Sequence, residues 1–220
     1  MRRSVIAMLL VVVVLFSVYY ASAEDLSEMT VDDLKDLRLQ INKELSSRNV
    51  LDEIREGSTI ADLFPDPVLA RYIRDEVGAF SVDEVVTQEK LDSVGTVGFT
   101  NKDSGIKSIE GIGHLHGMWQ LVLDDQDQLT VIPEEIENCV SLKRFVLCCK
   151  NITSIPDSIC NLTLLKDLIL SRTPISELPA DIGNLTNLKE LNISYTKITN
   201  LPESIYTLEL DKFRREGLDL

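Results

Sequence analysis

Four cysteines, Cys139, Cys148, Cys149 and Cys160, fall within 22 residues, and two histidines, His114 and His116, stand ahead of them. Such a set could cross-link the chain, hold zinc, or supply a nucleophile and its base. Zinc needs closely spaced ligand pairs; no C-x-x-C occurs and no nearby histidine pair accompanies the cysteines. The acidic run "DDQDQ" at 124–128 lacks the fixed ligand spacing of a calcium loop and reads as a solvated loop. No nucleophile elbow, phosphate loop or metalloprotease helix is present. The chain is therefore expected not to be an enzyme, with no catalytic residue, no metal and no cofactor. What remains for the cysteines depends on the elements that place them.

Those elements repeat. Ile132, Ile155, Leu178 and Leu201 lie 23 residues apart, each followed by proline. Ile136, Ile159, Ile182 and Ile205 keep the same step, as do Leu142, Leu165 and Leu188. The pattern L-x-x-L-x-L-x-x-(N/T)-x-I, read in "LLKDLILSRTPI" and "NLKELNISYTKI", is that of a leucine-rich repeat. One such unit cannot bury its apolar side alone; stacked units form a continuous core. The fold class is an α/β repeat solenoid: a short leucine-rich repeat horseshoe with a parallel concave sheet and an N-terminal helical cap. Two earlier units, with Val97/Phe99 and Leu121/Leu123, are spaced at 24. About five strands are expected, near 96–100, 120–124, 144–148, 167–171 and 190–194. The "PxxI" segment should return as a short helical or 3₁₀ turn. Residues 201–220 lose the pattern and read as an end cap.

The alternation of a strand assigns the outward positions. They form ladders: Thr96, Gln120, Arg144, Asp167, Glu190; then Gly98, Val122, Val146, Ile169, Asn192; then Thr100, Asp124, Cys148, Ser171, Ser194; and at the strand exit Asn101, Asp125, Cys149, Arg172, Tyr195. Three β-branched residues side by side on a wet face read either as a binding strip or as a surface chosen for strand propensity. The candidate partner-binding residues are Arg144, Val146, Asp167, Ile169, Arg172, Glu190, Asn192, Tyr195 and Trp119. Trp119 heads a stack with Lys143, Lys166 and Lys189, read as a solvated, partly compensated row, and is either an exposed anchor or part of the cap packing. Cys139 takes a leucine slot and should be buried. Cys148 and Cys149 should end one strand without a stacked disulfide. Thr173, Thr196 and Lys150 stand at the inward asparagine position of the repeat; threonine can satisfy the bend, lysine cannot, so the third turn should be loose.

Domain organisation follows. "MRRSVIAMLLVVVVLFSVYYASA" has a basic start, an apolar run and an A-x-A site, so residues 1–23 read as a secretory signal peptide. Residues 24–58 hold an amphipathic helix, capped by Thr30 with Leu34, Leu37, Ile41 and Leu45 on one stripe, and an acidic linker. Residues 59–95 form the cap, with Asp66-Pro67 as a helix start and Gly78 as its stop. Residues 96–200 are the repeats. Removing the leader with Arg2 and Arg3 moves the formal charge from −14 to −16, which disfavours nucleic acid and anionic membranes as partners. No membrane contact is expected after cleavage, and the location is secreted or extracellular, with association to a cell envelope left open. A monomer is expected, with a dimer through the helix at 30–47 as the other possibility.

The stretches "TIADLFPDPVLARYI", "VTQEKLDSV" and "GIKSIEGI" resemble the internalin-type cap and first repeat of secreted Gram-positive bacterial leucine-rich repeat proteins. That resemblance implies a curved solenoid that binds proteins or glycans, often in host-cell contact. The 23-residue "LPxxI" units here differ from the shorter internalin unit. The expected function is a secreted, non-enzymatic protein-binding module holding a protein or glycan ligand on its concave face. The alternative is an envelope-structural or inhibitory module acting through the convex side or the N-terminal helix.

Overall fold

The computed structural model describes residues 58–100 and 104–218. The leader at 1–23, the amphipathic helix at 30–47 and Asn101 lie outside the described residues.

The described residues open with three short helices, each started by a side chain that accepts from the orphan amides of the first turn. Helix α1, Ile60–Leu63, has a capping box between Thr59 and Asp62; the hydrogen bonds from Thr59 hold the Asp62 carboxyl below its ordinary value. Helix α2, Pro67–Glu76, begins at Asp66, whose Oδ1 accepts from the amides of Val68 and Leu69. It stops at Gly78, with φ of +66°, as the sequence predicts. Helix α3, Gln88–Asp92, is capped by Thr87. Ile60, Phe64, Leu69, Ile73, Leu91 and Val94 from this region share one core with Val97 and Phe99 of the first strand.

Six strands follow, all parallel and in chain order: β1 Thr96–Phe99, β2 Gln120–Asp124, β3 Arg144–Cys148, β4 Asp167–Ile169, β5 Glu190–Asn192 and β6 Lys212–Arg214. The sequence expected about five. The sixth lies in the segment read as a cap and is one residue early: Leu191 pairs with Phe213, a step of 22 rather than 23. Counting 23 lands on Arg214 and misses the aromatic in the leucine slot. Strands β4 and β5 are also shorter than expected, three residues each.

Inward residues alternate with outward ones along each strand. Leu121, Leu123, Phe145, Leu147, Leu168, Leu170, Leu191 and Ile193 have no exposed surface. Each such side chain contributes about 1.5–3 kcal/mol by leaving water. The segments after the repeat prolines Pro133, Pro156 and Pro202 form 3₁₀ turns, Glu134–Asn138, Asp157–Asn161 and Glu203–Thr207, because proline presets extended backbone and forbids a continuing helix. The turn in the unit of Pro179 is Ile182–Asn184. Side chains on this return side stitch units together. Asn187 donates to the Thr163 carbonyl at 2.7 Å and Ser158 to that of Glu134 at 2.8 Å. Among the described residues no helix is long and apolar enough to cross a membrane.

Candidate binding face

The bend after each strand decides which side chains reach the face. Asp125, Arg172 and Tyr195 adopt positive φ, between 55° and 62°, at the strand exits of β2, β4 and β5. This conformation is costly for a side chain with Cβ. It throws the following residue inward, and Gln126, Thr173 and Thr196 then meet the strand-end carbonyls. Thr173 donates to Leu170 O at 2.6 Å, Thr196 to Ile193 O at 2.8 Å, and Gln126 to Phe99 O at 3.2 Å. The third unit differs from the expectation. Cys149, not Lys150, turns inward: it is fully buried, and its thiol donates to Leu123 O at 3.3 Å. Lys150 instead reaches Asp127 at 2.6 Å on the surface. The turn is satisfied one residue earlier than the repeat alignment suggests, and Cys149 leaves the exit ladder.

The other cysteines are also free thiols. Cys139 sits in its leucine slot with its thiol on Ile112 O at 3.3 Å; burial, with Glu135 nearby, pushes it up to about 12. Burial likewise raises Cys149 and Cys160 to about 11. Cys148 points to the opposite side from its neighbour, half-buried beside Ser171 at 3.5 Å. Adjacent residues on opposite faces leave no geometry for a Cys148–Cys149 disulfide.

The first two ladders stand in the register read from the sequence, extended by the sixth strand. The first is Thr96, Gln120, Arg144, Asp167, Glu190, Lys212, and the second is Gly98, Val122, Val146, Ile169, Asn192, Arg214. Arg144 pairs with Asp167 at 2.9 Å across β3 and β4. Glu190 lies between Lys212 at 3.4 Å and Arg214 at 3.6 Å. The charged ladder is thus neutralised by its own members together with Arg214 of the neighbouring ladder, in surface pairs worth about 0–1 kcal/mol each. Val122, Val146 and Ile169 form an unbroken, half-buried apolar row beside it. Asn192 at its end is engaged locally, its Oδ1 accepting from the Ser194 amide at 3.0 Å. At Gly98, the other end, a Cβ would meet nothing within 4 Å, so the row opens there.

Ser194 was expected on the face but is buried, with its hydroxyl accepting from the Glu216 amide at 3.1 Å. The segment that follows β6 covers it, and also packs on Tyr195, whose ring lies over Gly217 and whose amide donates to Glu216 O at 2.8 Å. Tyr195 still shows 58% of its surface and Trp119 46%. Trp119 answers both of its readings: its indole lies over Gly95 at the edge of the cap, where a Cβ would come within 2.8 Å of Nε1, and its outer part is exposed. Sequence reasoning missed Lys212, Arg214 and Glu216; the signal for them was Leu210 and Phe213, each 22 residues after its leucine.

Residues 157–210 match the family described as a leucine-rich repeat region, and residues 49–92 match the N terminus of bacterial adhesion/invasion proteins. Internalin H of Listeria monocytogenes is 34% identical over 79 residues, which cover 36% of this chain and 14% of that protein; the chain thus matches a small part of that curated relative. Among solved structures, a leucine-rich repeat protein of Leptospira interrogans aligns with 27% identity and a TM-score of 0.50, over 56% of this chain and 31% of the other. An internalin-like protein of Listeria monocytogenes shares the fold at 20% identity, with a TM-score of 0.51, over 76% of this chain and 59% of the other. The capped parallel solenoid has the leucine-rich repeat fold, and its matched stretches, 49–92 in and around the cap and 157–210 in the repeats, are similar to those of internalin-like leucine-rich repeat proteins.

Proposed function

We propose that this chain is a secreted, non-enzymatic binding module that holds a protein partner on its strand face. The observation that carries the proposal is the apolar row Val122, Val146, Ile169, set on the outward side of β2, β3 and β4. Its surroundings have the make-up of an interface: an apolar centre, charges at the rim, and exposed aromatics in Trp119 and Tyr195. Arg144, Asp167 and Glu190 shape the rim on one flank, Arg172 on the other, and Asn192 closes the row. The ion pairs Arg144–Asp167 and Glu190–Lys212 fix register more than they add affinity. Export rests on the leader pattern at residues 1–23 and fits a surface built for contact with other molecules.

The test uses the chain recovered from the medium of expressing cells, with an N terminus expected at Glu24. It serves as bait for candidate partners, beside Val146→Glu and Ile169→Glu. Each substitution places a carboxylate in the centre of the row, and partner retention should fall at least about tenfold, since a buried unpaired charge costs well over 1.4 kcal/mol. Unchanged capture by both variants would overturn the assignment of the face.

A further inference from the structure

The strand-start edge of the face carries a line of lysines that form no ion pair among the described residues. Backbone amides place Trp119, Lys143, Lys166, Lys189 and Asp211 in one line along the strand starts: Lys143 N donates to Trp119 O at 2.9 Å, Lys166 N to Lys143 O at 2.8 Å, Lys189 N to Lys166 O at 2.8 Å, and Asp211 N to Lys189 O at 2.9 Å. All five side chains are exposed. Among the described residues, none of the three lysines forms an ion pair; Lys189 reaches only the Glu209 carbonyl at 3.3 Å. Three ammonium groups at strand spacing, about 4.8 Å per step, repel one another. On a chain of net charge −14 they form a local positive strip that ends at Asp211 beside Lys189, and Asp167 and Glu190, next in sequence to Lys166 and Lys189, are already committed to Arg144, Lys212 and Arg214.

Lys143, Lys166 and Lys189 stand just before β3, β4 and β5, each three residues or about 10 Å ahead of an outward position of the row, Val146, Ile169 and Asn192. The exposed lysines therefore border the row at the strand-start edge. An α-helix with its side chains is about 10–12 Å across, so one helix laid across the strands covers both. The exit side of the row carries Asp124 at the end of β2 and Asp125 just after it, with Arg172 two units on, and so offers an acidic flank less than the three unpaired lysines do. The polarity of the face therefore fixes which side of such a helix is acidic.

Resting on the strand-face reading above, we infer that the partner presents an acidic amphipathic helix. Its apolar stripe seats on Val122, Val146 and Ile169, and its carboxylates face Lys143, Lys166 and Lys189. A sulfated glycan would satisfy the lysines and leave the apolar row unfilled.

Three synthetic helical peptides with the same leucine stripe, flanked on one side by Glu, Gln or Lys, test this, with heparin as the polyanion control. Trp119 is the sole tryptophan and ends the lysine line, so its emission reads binding directly. The Glu-flanked peptide should bind about tenfold tighter than the Lys-flanked one, with a preference that shrinks as salt rises. Lys143→Glu with Lys166→Glu should reverse that preference, Lys143→Gln with Lys166→Gln should abolish it, and Val146→Glu should weaken every peptide. Unchanged thermal melts of the lysine variants confirm that the fold is intact.

Equal binding of the Glu- and Lys-flanked peptides, no binding by any of them, or lysine-dependent heparin binding that ignores Val146→Glu overturns the inference. In the partner-capture assay, loss with Val146→Glu but not with the lysine variants overturns the acidic helix and leaves the face in place. Retention by all variants overturns both.

Discussion

The two edges of the sheet are finished differently. At β1 the cap is bonded to the repeats at several points. Asp66 is the centre of that joint: it is buried, its Oδ1 caps α2, and its Oδ2 accepts from the amides of Lys107 and Ser108 at 2.8 and 3.1 Å. The Tyr72 hydroxyl donates to Thr96 O at 3.2 Å, and its ring packs 5.1 Å from Phe99; burial raises that phenol above its ordinary value. At β6 all three residues are exposed, Phe213 shows 37% of its surface, and no strand pairs with the outer side among the described residues. A carboxylate that accepts four amides costs much to remove, whereas an exposed edge strand has little to lose. Stability should therefore be concentrated at the N-terminal edge, and substitutions at the two edges can break or sharpen that contrast.

The largest effect is expected at Asp66. Asp66→Ala strips the helix cap and leaves four amides to find other partners, so stability should fall by about 3 kcal/mol in chemical denaturation. Asp66→Asn separates the two jobs of the side chain. Asparagine remains a good N-cap, but its amide group then faces the amides of Lys107 and Ser108, donor against donor. It should lose about half as much. Equal stability of Asp66→Asn and the parent would show that the link from the cap to the repeats contributes nothing, and the contrast between the edges would collapse to helix capping alone.

A smaller effect is expected at the other edge. Phe213 occupies a leucine slot, but it is only partly covered and packs beside Arg215, whose guanidinium lies 5.8 Å from the ring centre. Phe213→Ala should cost about 1 kcal/mol or less, against the roughly 3–5 kcal/mol of a fully buried phenylalanine such as Phe145. A loss as large as that of Phe145→Ala would mean that β6 is a full repeat in energy as well as in register.

The same two edges show what the sequence made legible. The cap was readable because helix starts have local chemistry: Asp66-Pro67 and Thr87 announce themselves within a few residues. The strands β1 to β5 and the two central ladders were readable because stacking forces a common register, so that one aligned apolar position places all the others. That logic fails where the period changes. A single missing residue before β6 moves Phe213 out of the expected column and presents Arg214 in its place. It also hides the cations that neutralise Glu190. Cys149 was misplaced for a related reason: alignment at a constant step cannot see that the exit residue of β3 lacks the positive φ that Asp125, Arg172 and Tyr195 adopt. The neutrality of the Arg144 ladder and the isolation of the lysine line were not legible at all. Both depend on which rotamer reaches which neighbour, and no spacing rule carries that.

The subtlest difference between the edges lies in single backbone amides and changes no stability. In a parallel ladder, alternate residues bond to alternate sides. Lys212 N donates to Lys189 O, and Arg214 O accepts from Ile193 N, so the amide of Phe213 faces outward. It should exchange with solvent deuterium nearly as fast as in a short peptide. The amide of Phe145, inside the sheet between β2 and β4, should exchange only on global opening, slower by several orders of magnitude. The comparison also reports on the edge itself. If Phe213 is protected in concentrated samples and released on dilution, a strand from a second copy is pairing there. If it is protected at every concentration, the outer side of β6 is covered within the chain, and the two edges are finished alike after all.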